Sequence, residues 1–460
     1  MTSNIQTLLQ PLSQQLVEMA KTSGACDADA MAVADTGESV RVRNSKVESV
    51  EREDAQGVGL RAFVEQAGGL AFASASTSDV SDTGLKRLVE QVMEMARISE
   101  PDPDAMPPTG ADHPTRKELD AWAESHTADS SWNTEAAKQA ALICEDAALS
   151  FSDKITNSEG AEAGFGMVRV AYASADGFAA TYEKSSAALS ASVIAGSGDG
   201  MQRDYAWDRR RSANVLRAPE EIGREASERT LRRLGASGMD GGSMPVVFEP
   251  RVATSLLGHL ISAVNGRAVL QQRSFLADQK GKHVFPDFVQ VEDNPDHPQG
   301  LGNRLFDGEG TRCRPMSIIG QGILSGFLTD RYAAGRLGST PTGHASRGLT
   351  GDISIGTSNL ILQAGNQTVA DILHEISDGL WITELIGFGV NGVTGDYSRG
   401  ASGFLIENGE ISRPVQEITI AGNLKDMFAN ISHLGNDLTW FGSSAVPTVA
   451  IADMTVAGQE

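Results

Sequence analysis

The chain has little of several things, and each shortage closes off a class of function. Only three cysteines occur in 460 residues, Cys26, Cys144 and Cys313, far apart and without pairwise metal-ligand spacing. A disulfide framework or a cysteine-based zinc site is therefore not expected, and the cytoplasm is the default compartment. Cys144, inside the helical pattern AALICEDAAL, reads as a buried small apolar residue. Basic charge is short as well. Against 60 Asp and Glu stand 38 Lys and Arg, a formal net charge of −22 that argues against a bulk phosphate-binding surface. The best basic stretch, Arg203 to Arg211 (RDYAWDRRR), is interrupted by Asp204 and Asp208 and reads as a solvated or salt-bridged loop rather than a nucleic-acid contact. No window approaches the roughly 18 apolar residues of a membrane span. The opening MTSNIQTLLQPLSQQLVEMAK lacks the basic region, unbroken apolar core and small-residue cleavage site of a signal peptide.

What is present describes a soluble protein with many turns: 40% apolar residues and 49 Gly, in a length that suits two or three domains. Two breaks divide it. Glu100 to Pro114 (EPDPDAMPPTGADHP) is Pro-rich and acidic, as a linker would be, and Gly235 to Pro245 (GASGMDGGSMP) is Gly-rich. The expected division is 1–100, 117–234 and 245–460. In the first unit a helix over about 4–22 precedes strands near 40–50, 59–64 and 69–74, then a helix near 85–98. The second repeats the plan. A helix at 134–149 precedes strand-like pieces at 167–173, 178–182 and 187–194, and PEEIGREASERTLRRLG closes it as a helix, with Pro219 in its first turn, acids early and arginines late. The third unit, beyond helices near 253–264, 369–377 and 424–433, is short strands between Gly and Asn turns. The fold class expected is α+β, with duplicated α/β-strand units followed by a β-rich, antiparallel, barrel-like C-terminal domain.

Candidate chemistry is thin. Gly387-Phe388-Gly389-Val390-Asn391-Gly392 matches G-x-G-x-x-G, but turn residues and not a helix follow it, so the match does not predict a dinucleotide site. His374-Glu375 suggests a zincin helix, yet the position four residues after His374 is Asp378, next to Gly379, and a helix end explains both. His259 stands in ATSLLGHLISAVNG with no acid or second histidine at helical spacing and reads as a packed core histidine. His344, in Thr342 to Gly348, is a functional loop or, favoured, a solvated turn. Asn391-Gly392 and Asn408-Gly409 are two-residue hairpin signals. Between them Thr394, Gly395, Asp396, Tyr397, Ser398 and Arg399 form one Gly-bounded loop, able either to present backbone N–H groups and a charge pair to a ligand or simply to stitch a turn.

The run GVTGDYSRGASGFLIENGEI, the following PVQEITIAGNLKDM, the segment Arg273 to Asp278 (RSFLAD) and the closing Met454 to Gly458 (MTVAG) resemble the TldD/PmbA family, in its PmbA or TldE branch, over essentially the whole chain. The resemblance implies an α+β N-terminal region, a β-rich C-terminal domain and a dimer. It implies assembly with a TldD-type paralogue into a zinc-dependent peptidase whose chamber holds unfolded peptide as an added β-strand. The family is also labelled a modulator of DNA gyrase, and is linked to maturation of peptide antibiotics and turnover of toxin–antidote proteins. In the TldD branch a helix carries H-E-x-x-x-H and a cysteine near the C-terminus completes the site. Aligned on that pattern, Gly258 stands at the first ligand, His259 at the catalytic glutamate, Ala263 at the second ligand and Phe441 near the cysteine. Gly, Ala and Phe side chains hold no metal. The resemblance therefore implies no metal or catalytic residue in this chain, with zinc expected in the partner. Substrate or partner contacts are expected at Thr394 to Arg399 and at Phe404, Glu407 and Asn408 of the next hairpin. Two alternatives remain: a peptidase acting alone as a homodimer, through a site such as His374 with Asp378, or a non-enzymatic modulator that binds gyrase.

Overall fold

Two runs of three antiparallel strands meet at their first strands, so the N-terminal half rests on one continuous sheet. A computed structural model describes residues 9–129, 131–348 and 353–458. In it, helix α1 (Leu9–Thr22) leads to strands β1 (Asp27–Arg43), β2 (Lys46–Gln66) and β3 (Gly69–Thr77) and helix α2 (Asp82–Ile98). After α3 (Arg116–Ser125) the order recurs: α4 (Thr134–Leu149), β4 (Ile155–Ser174), β5 (Ala179–Ala195), β6 (Gln202–Arg210) and α5 (Pro219–Arg232). β1 pairs antiparallel with β4, giving the order β3-β2-β1-β4-β5-β6. The helix expected from residue 4 is seen from Leu9, and 4–8 lie outside the described residues.

The strand period of two decides what each face covers. Ala28, Ala30, Ala32 and Ala34 of β1 pack with α1 and α2, while Val40 and Val42, on the same face farther along, pack beneath α4 and α5. The odd-numbered face buries Met31 beside Tyr172 and Phe306, so the C-terminal region closes the other side of the sheet. Local chemistry sets the helix ends. Ser81 caps α2 by accepting from Gly84 N, Asn133 caps α4 by accepting from Ala136 N, and Pro219 opens α5.

Several sequence expectations change; the strand near 40–50 is split by the Asn44–Ser45 turn between β1 and β2, and the helix near 424–433 ends at Ala429, before a strand over Ile431–Leu434. The pieces at 178–182 and 187–194 are a single strand, β5, carried across its polar middle by unbroken pairing with β4. Helix α3 has no buried residue to betray it and is held by a Thr115–Glu118 capping box and the Glu118–Arg312 ion pair at 2.5 Å. The Pro-rich stretch at 100–114 is not a free linker. It pairs Asp102 with Leu70, and the His113 ring contacts Gly310 O at 2.8 Å while stacking on Phe178, so it forms a seam between the sheet and the C-terminal region.

Strands β7 (Gly242–Phe248), β8 (Gly379–Ile386), β9 (Asp396–Glu407), β10 (Glu410–Asn423) and β11 (Val449–Ala457) follow the order β10-β9-β8-β7-β11, and β10 pairs back to β11, closing a five-stranded barrel. Only the β7–β8 pairing within it is parallel; its other pairings are antiparallel. The hairpin predicted at Asn408-Gly409 is present, with φ of 55° and 81° at its two turn residues. Asn391-Gly392 is not a second one. The Asn391 side chain instead accepts from Val393 N and Thr394 N, and Gly395, at φ 87°, turns the chain into β9. Helix α6 (Pro250–Ala263) leaves β7 at once and buries Leu256, Leu257 and Leu260 in the C-terminal core with Phe248, Ile382 and Phe428.

Candidate functional site

Helix α6 buries one face and leaves the other open. Gly258 and Ser262, one turn apart, share the exposed side, and His259 lies at the boundary between exposed and buried faces. A Cβ built on Gly258 would meet nothing within 4 Å, so no packing demands glycine there. Beside it opens a pocket of about 440 Å³ lined by His259, Ser262, Arg267, Arg273, Val390 and Gly392, among others. Ala263, buried, lies at its floor. The strand Thr439–Phe441 packs near α6, with Phe441 half-buried against the core and its ring 5.8 Å from that of Trp207.

β9 packs against the same helix beside the pocket. Tyr397 and Arg399, two apart, point to the same face as buried Ala401, toward the helix. The Tyr397 ring meets the His259 ring edge to face, with centroids 5.8 Å apart and planes at 81°. His259 Nε2 and Arg399 Nε are buried without a hydrogen-bond partner, and the Tyr397 hydroxyl faces the Arg399 side chain. Burial, and then the charge of Arg399, hold the His259 imidazole below its usual pKa, so the ring is neutral at pH 7. Burial pushes the Tyr397 phenol up to about 12, against the opposing pull of Arg399. Such a donor set does not fit a zinc ion: one imidazole on α6, a guanidinium beside it, and neither carboxylate nor thiolate on the helix. Among the described residues no three His, Cys, Asp or Glu are grouped to hold a metal.

The structure does not bring the other sequence-selected residues to this cluster. Thr394 donates from Oγ1 to Asp396 Oδ2 at 2.6 Å, Asn423 donates to both Thr394 O and Asp396 Oδ1, and Leu424 N donates to Gly395 O, which ties the start of β9 to the end of β10. Ser398, exposed on the far face, donates its backbone N–H to Gly389 O at 2.7 Å. Phe404, Glu407 and Asn408 lie toward the far end of β9 and just past it, roughly 20–35 Å from Tyr397 at the usual rise per residue. Phe404 is buried with Trp381 and Leu373 under Arg232, which stacks 4.6 Å above its ring. Glu407 accepts from Ser412, and Asn408 N donates to Asp378 Oδ1.

His374 and Asp378 belong to no group of three possible metal ligands among the described residues. Their helix, Val369–Ile376, stops before Ser377, whose φ of 61° turns the chain away and takes Asp378 off the helix face. His344 is no solvated turn. It is buried, with Nε2 3.2 Å from Asp293 Oδ2 and Nδ1 2.9 Å from Thr342 Oγ1. Arg203 to Arg210 lie on β6 rather than a loop, and Asp204 draws Arg251 to 3.1 Å and Arg229 and Arg233 to 3.6 Å.

Local sequence gave no sign of a second cavity, about 510 Å³, between β2, β3 and the C-terminal region. At its floor Arg61 and Arg347 both bind Asp29, and Arg61 also binds Glu309. Burial alone would raise Asp29, but the two guanidiniums outweigh it and hold the carboxylate below its ordinary range. The partners come from positions 29, 61, 309 and 347, so no spacing rule could find them.

Family models described as the PmbA/TldA metallopeptidase domain 1, central domain and C-terminal domain match residues 28–96, 129–234 and 241–458. The metalloprotease PmbA of Escherichia coli O157:H7 is 37% identical over 443 residues, covering 95% of this chain and 94% of its own. A zinc metalloprotease TldD homolog of Saccharolobus solfataricus is 30% identical over 229 residues, 47% of this chain and 49% of its own. A crystal structure from Bacteroides thetaiotaomicron, described as a candidate modulator of DNA gyrase, superposes with a TM-score of 0.87 at 25% identity, covering 98% of each chain. TldE of Thermococcus kodakarensis shares the fold, with a TM-score of 0.82 at 20% identity over 97% of this chain and 99% of its own.

Proposed function

The chain belongs to the PmbA/TldD metallopeptidase family, and on that premise we propose that it is the non-catalytic, peptide-binding subunit of a two-component zinc metallopeptidase. One observation carries the reading. The helix that would hold the metal presents Gly258, His259 and Ala263, with an arginine opposite and no carboxylate to activate water. A TldD-type paralogue supplies zinc, glutamate and cysteine, and this chain supplies one wall of the chamber in which an unfolded peptide lies extended. Loop Thr394–Gly395 and the hairpin at Asn408-Gly409, at opposite ends of β9, edge that wall. The complex works in the cytoplasm on peptides to be matured or degraded. No described helix is long and apolar enough to cross a membrane, in keeping with that setting.

The test is zinc content and casein cleavage for this chain alone, for the H-E-x-x-x-H paralogue of the same organism, and for the mixture. The expected result is stoichiometric zinc and full activity only where the paralogue is present, with activity raised by this chain. Stoichiometric zinc and cleavage by the isolated chain would sink the reading.

A further inference from the structure

We propose that a groove across the N-terminal sheet, on the face turned to the C-terminal region, holds a short extended peptide with its amino end over β2 and its carboxyl end over β5 and β6. The proposal rests on the peptide-binding reading above and gives that reading a place, a length and a direction.

The groove has a volume of about 810 Å³. Strand register builds its floor in rows that cross the sheet. Glu51 of β2 stands opposite Ser39 of β1, followed by Gly164 of β4, Ala188 of β5 and Arg209 of β6. The next row is Glu53, Gly37, Gly166 and Ser186. Beside it, Asp35 of β1 stands opposite Val168 of β4 and then Lys184 of β5. Phe441 and Gly442 of the C-terminal region form the facing wall. Glycine inside a strand weakens it, and the fold does not require it here. Neither Gly37 nor Gly164 has a left-handed φ, and a Cβ on either would find its nearest neighbour at 3.6 or 3.5 Å. What the missing side chains preserve is the depth of the groove.

Charge is sorted by sign along this floor. Asp35, Glu51 and Glu53 line the β1–β2 end, and Lys184 and Arg209 line the β5–β6 end. None of the five has an ion pair among the described residues, whereas Arg52, also at the acidic end, lies 3.7 Å from Glu38. Lys184 is mostly buried, with its ammonium 5.2 Å from the centre of the Tyr182 ring. Burial, and then the charges of Arg304 and Arg211, push its pKa down to about 8. Arg304 itself donates to neutral acceptors, Ser358 Oγ, Ala345 O and Gly356 O. One end of the groove is therefore left positive and the other negative. Four strand spacings separate Glu51 from Arg209, about 19 Å, which an extended chain of about six residues spans. The free ammonium and carboxylate of such a peptide match the two ends. The small and hydroxyl-bearing floor between them meets a backbone without selecting side chains.

The test uses the full chain and a six-residue Ala/Ser/Gly peptide with both ends free, N-acetylated, C-amidated, or capped at both ends. In titration calorimetry at pH 7 either cap is expected to weaken binding at least 10-fold. Glu51→Gln with Glu53→Gln is expected to remove the penalty of acetylation and keep that of amidation. Lys184→Met with Arg209→Gln is expected to do the reverse, and that crossed pattern reports direction as well as charge. Gly37→Val and Gly164→Val raise the floor with a residue that suits strands. Both are expected to melt no lower than the parent while binding the free peptide at least 10-fold more weakly. If the four forms bind alike, if the crossed pattern is inverted, or if folded Gly37→Val and Gly164→Val proteins bind unchanged, this site is wrong. A doubly capped twenty-residue peptide then separates the two failures. Its binding would leave the peptide-binding role standing without this groove; its failure together with that of every hexapeptide would end both.

Discussion

Arg61 holds Asp29 through both carboxylate oxygens, Nε to Oδ1 at 3.2 Å and Nη2 to Oδ2 at 2.6 Å, and reaches Glu309 with its remaining nitrogen at 3.0 Å. The pair lies on neighbouring strands of the N-terminal sheet, whereas Glu309 belongs to the C-terminal region, so one side chain ties the two halves together. Among the described residues, replacing Arg61 by Met leaves the Glu309 carboxylate buried with only the Arg331 backbone N–H, and Asp29 with Arg347 and the Tyr172 hydroxyl. Breaking a buried pair in this way costs about 3–5 kcal/mol. Arg61→Met is expected to lower the urea midpoint accordingly and to speed protease cleavage at the 100–114 seam. A loss below about 1 kcal/mol would show that the network contributes little.

Asp307 gives the protein an unusual pH dependence. Burial, reinforced by the charge of Glu309, pushes its carboxyl up to about 7, although the N–H groups of Glu309, Thr311 and Ala345 and the nearby Arg304 pull the other way. The folded state therefore keeps a proton that the unfolded chain releases above about pH 4. Between those values the native form binds more protons, so the contribution of this group falls as pH rises, by up to about 1.4 kcal/mol per unit. Asp29 acts oppositely, losing its contribution as pH falls below about 4, because its folded pKa is depressed. Thermal unfolding from pH 5 to 7.5 is expected to show Asp307→Asn less stable than the parent at pH 5 but with a flatter slope. Parallel slopes would place the titration elsewhere.

How much was legible depended on how local the cause was. Helices α4 and α5 were readable nearly to the residue because Asn133, Pro219 and the acids of the first turn act within one turn of the chain. The closing of the barrel was approachable through its turn residues. β5 was read as two strands because its polar middle is held by pairing with β4, which lies outside any short window. His344 was misread for a similar reason: its partner Asp293 is 51 residues away, so burial could not be inferred from the Gly-flanked loop around it. The cluster beside the pocket was half legible. His259 stood out as a lone polar residue on an apolar helix, and Tyr397 and Arg399 were chosen from a loop, but only the packing of β9 against α6 shows that they face one another.

The G-x-G-x-x-G match is explained by backbone approach rather than by nucleotide binding. A Cβ on Gly389 would lie 1.9 Å from Ser398 O, across the start of β9, while one on Gly392 would meet nothing closer than Arg273 O at 3.7 Å. Gly389→Ala is expected to cost about 1–3 kcal/mol by forcing that contact apart. Gly392→Ala is expected to change stability by less than about 0.5 kcal/mol. A dinucleotide site would need close approach at the second and third glycines alike. Equal sensitivity of the two positions in thermal melts would overturn this explanation.

Phe388 sits at the tip of the same loop and is 98% exposed, with Ile386, at the end of β8, and Val393 also more than half exposed. Single exposed apolar residues are ordinary, but an aromatic ring bare on nearly every side has no intramolecular reason to be there. Aromatic side chains are prominent among residues that carry binding energy at protein interfaces. Under the proposed function this loop inserts into the TldD-type partner. Phe388→Asp is expected to weaken co-elution with that partner at least 10-fold, and so to lower the casein cleavage of the mixture. The melting temperature of the isolated chain should stay unchanged, because the ring packs against nothing. Assembly that survives both Phe388→Asp and Val393→Asp would move the interface to another face of the barrel.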